Sequence, residues 1–134
     1  LEFRRVLFRS SGFRSAEFVI LQEAFQAAGA ETILCTDNGT VGRHGLVTEP
    51  LQELLQTKQI DAVYACGPKP MLHAIANLAN TADVFCEVSF EERMGCGIGA
   101  CLVCACKLER EGKPVSAHVC KDGPVFSAKE VVWE

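Results

Sequence analysis

Five of the eight cysteines of this 134-residue chain fall within twenty-five residues, Cys96 to Cys120, and this crowding limits the possible folds more than any other feature. Disulfide frameworks belong mostly to short secreted chains, and the first residues lack the long apolar run and small-residue cleavage site of a secretory leader. Clustered thiols then point to metal ligation in a reducing, cytoplasmic compartment. Cys96-x4-Cys101-x2-Cys104, with Cys120 after fifteen intervening residues, matches the C-x4-C-x2-C…C spacing of plant-type 2Fe–2S sites. Four thiolates must converge on two irons in such a site, and its bridging sulfides need N–H donors around them. Gly95, Gly97, Gly99 and Ala100 let the backbone wrap closely and turn its amides inward, some of them at positive φ.

Other ligand sets remain open on spacing alone. A zinc site of four cysteines is one, because Cys101-x2-Cys104 is also zinc-like, although zinc usually joins two short knuckles and none surrounds Cys120. A Rieske centre needs two histidines, and only His118 lies near. Cys106 could stand in for Cys104, but the strict spacing favours Cys104. Cys35 and Cys86 sit in apolar runs and read as core residues.

Upstream of the cysteines the pattern is α/β. Ser15 reads as the cap of a helix with Phe18, Leu21, Phe25 and Ala28 on one face, ended by Gly29. Thr32 to Thr36 reads as a strand closed by the turn Asp37-Asn38-Gly39, and Thr48 as the start of a helix with Pro50 in its first turn. Ala62 to Cys66 and Val84 to Val88 read as strands on either side of a helix carrying Met71, Leu72, Ile75, Leu78 and Ala79. Strands alternating with helices predict a parallel sheet of β-α-β units, here a partial doubly wound nucleotide-binding domain over residues 12–88. Residues 89–134 follow as a small, mostly β or irregular cluster domain. Residues 1–11 read as a junction segment outside the fold.

Composition narrows the function classes. Thirteen basic against seventeen acidic residues give a net charge of −4, and the three arginines and one glutamate of Leu1 to Ser10 leave the rest of the chain at −6. A body this acidic argues against nucleic-acid binding, which needs a clustered basic face. The longest uncharged runs, Pro70 to Ala82 and Met94 to Cys106, are thirteen residues each and too short to span a bilayer.

Cys66-Gly67-Pro68-Lys69-Pro70-Met71 lies between a strand and a helix, where α/β sheets bind ligands, and its glycine permits close backbone approach. This turn resembles the nicotinamide-side motif of the ferredoxin–NADP reductase superfamily. Glu91-Glu92-Arg93-Met94-Gly95-Cys96-Gly97-Ile98-Gly99-Ala100-Cys101 and Val119-Cys120-Lys121-Asp122-Gly123-Pro124-Val125-Phe126 are narrower signals. With Asp37-Asn38-Gly39-Thr40-Val41-Gly42 they resemble the electron transfer subunits of the NAD-dependent, two-subunit bacterial dihydroorotate dehydrogenases. The resemblance covers about Gly12 to Glu134. Nothing here matches the family's FAD-binding barrel or its Gly-rich first nucleotide strand, so it implies a C-terminal fragment.

What the resemblance implies is a relay in pyrimidine biosynthesis. An FMN-containing catalytic subunit, joined in a heterotetramer, oxidises dihydroorotate, a 2Fe–2S cluster passes electrons singly, and FAD collects two for hydride transfer to NAD+. Cys96, Cys101, Cys104 and Cys120 would hold the cluster. Cys66, Gly67 and Pro68 would border the nicotinamide, and Asp37 would approach the nucleotide. Related reductase subunits, serving sulfite reduction, hydrogenase or ferredoxin:NADP chemistry, are the nearest alternative, and a zinc-stabilised interaction module is a more distant one.

Overall fold

The computed structural model describes residues 6–133, which form parts of two compact units, Leu1–Thr57 and Lys58–Glu134. In the first unit a parallel three-stranded sheet runs in the order β1 (Phe8–Phe13), β2 (Glu31–Thr36), β3 (Arg43–His44). A 3-10 turn (Ala16–Phe18) and helix α1 (Gln22–Ala27) connect β1 to β2, and α2 (Thr48–Thr57) follows β3. Cys35, Thr36 and Pro50 are its most deeply buried side chains. Pro50 sits in the first turn of α2, where its missing N–H costs nothing. A bidentate pair joins Arg43 to Glu53 at 2.6 and 2.8 Å across the exposed face.

This unit departs from the sequence reading in two places. Residues 8–11, read as a junction outside the fold, belong to β1, which pairs in register with β2 from Phe8↔Glu31 to Phe13↔Thr36. Arg9 also places its guanidinium 4.6 Å from the centre of the Phe25 ring. The helix expected from Ser15 is broken, with Val19 extended and Leu21 at φ 61°, so that regular α-helix begins only at Gln22. The β-branched neighbours Val19 and Ile20 fall at the break, where stiff side chains disfavour helix.

The second unit holds β4 (Ala62–Cys66), α3 (Lys69–Thr81), β5 (Phe85–Ser89), β6 (Ala105–Arg110), β7 (Lys113–His118), α4 (Val119–Asp122) and β8 (Val125–Ser127). Strands β4 and β5 pair in parallel, joined by α3 as a β-α-β unit, and β8 adds antiparallel to β5. Helix α3 buries Leu72, Ile75 and Ala79 of the stripe expected from its spacing, with Ala76 beside them and Met71 and Leu78 only half-buried, and Val63, Cys86 and Val88 of the sheet are buried too. The hairpin β6–β7 forms a separate two-stranded sheet. Its core residue Leu108 is fully buried and bridges Val131, while the Val132 N–H donates to the Lys107 carbonyl at 3.0 Å. The α/β reading therefore stands, with parallel pairs in both units and a β hairpin after the last parallel strand. No helix among the described residues is long and apolar enough to cross a membrane.

Truncating Leu108 to Ala leaves a cavity in the seam between the hairpin and Val131. It should cost about 2–5 kcal/mol in chemical unfolding. Leu46→Ala, at an exposed side chain, should stay within about 0.5 kcal/mol.

Candidate metal centre

Three of the four motif cysteines sit on one irregular loop, Gly95 to Cys104, and the fourth returns to it through the hairpin. The turn between β6 and β7 is two residues long, Glu111 and Gly112, both at positive φ as a type I′ turn requires. That turn sets the register Ala105↔His118, so the residues just outside the ladder, Cys104 and Val119, face each other. The Val119 N–H donates to the Cys104 carbonyl at 3.0 Å, and α4 then carries Cys120. The Asp122 carboxylate accepts the His118 N–H at 2.8 Å, which closes the first turn of α4.

The four sulfurs are gathered as two pairs. Cys96 and Cys101 interact through their thiols, as do Cys104 and Cys120. The Cys96 sulfur accepts the N–H groups of Ala100 at 3.2 Å and Cys101 at 3.4 Å. With the Ile98 amide as the largest contribution, these donors hold the Cys96 thiol down to about 6. Cys120 is pushed the other way, chiefly by its hydrogen bond with the Cys104 thiol, although the Gly99 amide is also directed at its sulfur. Among the described residues no three His, Cys, Asp or Glu side chains gather around a single-ion position. A two-iron cluster takes two thiols per iron, and the Cys96–Cys101 and Cys104–Cys120 contacts are compatible with that division.

Two glycines bring the main chain close to the side chains of the thiol loop. A Cβ on Gly95 would come within 3.1 Å of the Cys101 sulfur, and Gly99 turns at φ 77°. Both residues let the main chain lie against thiols with its amides exposed to them. The same loop exposes large apolar side chains, with Ile98 72% and Leu102 77% accessible, beside Met94 and Val103. Cys104 is buried, while Cys96, Cys101 and Cys120 are partly accessible. Cys106 is partly buried on β6 and takes no part in either pair. The cavity of about 400 Å³ that it lines lies between α3 and the hairpin, with Lys69, His73, Phe90 and Trp133.

The second motif adjoins this loop. Gly67 (φ 151°) and Pro68 form the turn at the carboxyl end of β4, and Pro68 caps α3. The exposed Cys66 thiol donates to Glu91 at 3.6 Å, and Lys69 pairs with Glu92 at 2.6 Å. Two links therefore tie the glycine-proline turn to the segment that enters the cysteine loop. Asp37 lies in the other unit, at the carboxyl end of β2, its N–H donating to the Phe13 carbonyl. Sequence reasoning missed the two-residue turn at Glu111-Gly112, for which the alternating residues on either side were the available signal. It also missed Lys121, whose stem lies 2.8 Å from where a Gly99 Cβ would stand.

Comparison with known proteins agrees with this geometry. Residues 91–132 match the family described as the iron–sulfur cluster binding domain of dihydroorotate dehydrogenase B. The chain is 47% identical over 128 residues to the "Dihydroorotate dehydrogenase B (NAD(+)), electron transfer subunit" of Caldanaerobacter subterraneus subsp. tengcongensis, covering 95% of this chain and 49% of that protein. It is 39% identical over 123 residues to the protein of the same name from Desulforamulus reducens, covering 92% and 47%. Among solved structures, a chain described under "Insights into flavin-based electron bifurcation via the NADH-dependent reduced ferredoxin-NADP oxidoreductase structure" superposes with a TM-score of 0.78 at 26% identity, over 96% of this chain and 45% of that one. This chain spans about half the length of the curated relatives it matches. Over that half it is similar to dihydroorotate dehydrogenase B electron transfer subunits, as the motif and its flanks implied.

The thiols outside the motif should be distinguishable chemically. Burial pushes Cys35 and Cys86 above the usual thiol range, so their thiolate fraction at pH 7 falls below that of an exposed cysteine. Alkylation followed by peptide mass mapping should find both unmodified at pH 7, reacting only as pH rises through the raised value. Exposed Cys66 should be modified first among these three.

Proposed function

We propose that this chain is the iron–sulfur and nucleotide-binding portion of an electron transfer subunit, which carries electrons from an FMN-containing dihydroorotate dehydrogenase catalytic subunit towards NAD+. The observation that carries the reading is the pairing of Cys96 with Cys101 and of Cys104 with Cys120, inside the region that matches the cluster-binding family. In this reading residues 89–134 are the cluster domain and residues 12–88 the partial NAD-binding domain. When bound, the 2Fe–2S cluster accepts and releases one electron at a time, which links a two-electron donor to a two-electron acceptor. The relatives' name gives the acceptor as NAD(+), and FAD completes the relay in the family that the sequence resembles.

The protein's own contribution is placement and charge. The amides of Ile98, Ala100 and Cys101 stabilise negative charge on the Cys96 sulfur, and Gly99 does the same for Cys120. Gly67 and Pro68 border the nicotinamide, with the exposed Cys66 beside them, and Asp37 serves the nucleotide from the end of β2. The exposed collar of Met94, Ile98, Leu102 and Val103 supplies a dry face against which the catalytic subunit brings its flavin close to the ligand loop. The setting is the cytoplasm, in pyrimidine biosynthesis.

A related reductase subunit with another partner is the second reading, favoured by the likeness to the ferredoxin–NADP oxidoreductase structure. Anaerobic mixing of the iron-loaded chain with an FMN-containing dihydroorotate dehydrogenase catalytic subunit separates the two. Dihydroorotate should elicit the EPR signal of a reduced cluster only when that subunit is present. Reduction by dithionite but never through the catalytic subunit would transfer the assignment to the second reading. Within the site, Ser in place of Cys96, Cys101, Cys104 or Cys120 should abolish or strongly deplete bound iron, while Cys106→Ser should retain it.

A further inference from the structure

We propose that Lys121 is a positioning and charge-supplying residue that raises the reduction potential of the cluster site, an inference that rests on the 2Fe–2S reading above. Cysteine-ligated iron–sulfur sites are anionic, and their potentials respond to nearby charge, to hydrogen bonds on sulfur and to solvent. Lys121 meets the first of these by its location. A Cβ on Gly99 would stand 2.8 Å from Lys121 Cδ and 3.3 Å from its Cβ, so the lysine stem lies across the glycine where any side chain would be. Gly99 is also the residue whose amide is directed at the Cys120 sulfur, and Cys120 precedes Lys121 in the chain.

The stem thus lies along Gly99, on the thiol loop, and leaves the chain next to Cys120. Only two bonds separate Cδ from the ammonium nitrogen, which therefore cannot leave that loop by more than the reach of those bonds. The neighbouring carboxylate does not neutralise it: Asp122 is turned to His118, accepting its N–H at 2.8 Å and standing 3.8 Å from its Nδ1. Lys121 forms no ion pair among the described residues. A positive charge beside the ligands favours the form that carries the extra electron, and so raises the potential. Because Lys121 is exposed, its influence is screened by salt.

The test is an EPR-monitored redox titration of the iron-loaded chain at low ionic strength and again near 1 M salt. Lys121→Met keeps most of the stem and removes the charge, and Lys121→Arg keeps the charge. At the wild-type midpoint the reduced fraction of Lys121→Met should fall several-fold at low salt, Lys121→Arg should follow wild type, and the gap should narrow at high salt. A Lys121→Met midpoint equal to wild type at low salt overturns the proposal. So does a gap that salt leaves unchanged, which marks a packing effect rather than a charge. If Lys121→Met binds no iron, Lys121→Gln takes its place, and iron loss in both makes the residue a structural clamp and overturns the proposal. Wild-type chain that binds no iron sinks the cluster reading itself, a failure distinct from an unmoved potential.

Discussion

The arrangement of the site depends on one hairpin closing in one register. Fifteen residues separate Cys104 from Cys120, and a flexible segment of that length would scatter its sulfur over a wide volume. The two-residue turn at Glu111-Gly112 removes that freedom, because both residues take the positive φ that matches the twist of the flanking strands. Six paired positions then run from Arg110↔Lys113 to Ala105↔His118, and the next bond, from Val119 N–H to the Cys104 carbonyl, carries the register out of the ladder. A slip of one residue would turn the hairpin's side chains to the opposite face and move the start of α4, which carries Cys120, relative to Cys104. Leu108, fully buried and bridged to Val131, opposes such a slip by tying the hairpin to the end of the chain.

With the fourth thiol delivered, local backbone geometry does the rest. The loop Gly95 to Cys104 has few hydrogen bonds of its own, and several of its amides point to sulfur. That is costly for a loop meant only to connect two strands, since unpaired amides must then be met by solvent or by weak sulfur acceptors. It is economical for a loop that receives an anionic group. The links from Cys66 to Glu91 and from Lys69 to Glu92 place the glycine-proline turn at the entrance to this loop, so the two motifs share one compact unit.

The cysteine motif and the β4–α3–β5 unit were legible in the sequence because their signals are local. Spacing, small residues and a stripe that includes Leu72, Ile75 and Ala79 are written along a few consecutive turns. Strand β1 was not legible: Phe-Arg-Ser-Ser-Gly-Phe has neither alternation nor a β-branched run, and its strand character comes from pairing with β2. The break at Val19 to Leu21 was hidden for the converse reason, since the apolar spacing of Phe18, Leu21 and Phe25 imitates a helix face through it. Which thiols pair with which could not be read either. Spacing names four candidates, but partnership depends on the hairpin register, a long-range property.

The most direct test of the central claim is the iron, zinc and acid-labile sulfide content of anaerobically purified chain, with its EPR spectrum before and after dithionite. Two thiol pairs around two irons predict about two irons and two sulfides per chain, silent when oxidised and EPR-active when reduced. A colourless chain holding one zinc and no sulfide would contradict the account, since four thiols would then surround a single ion rather than divide into pairs.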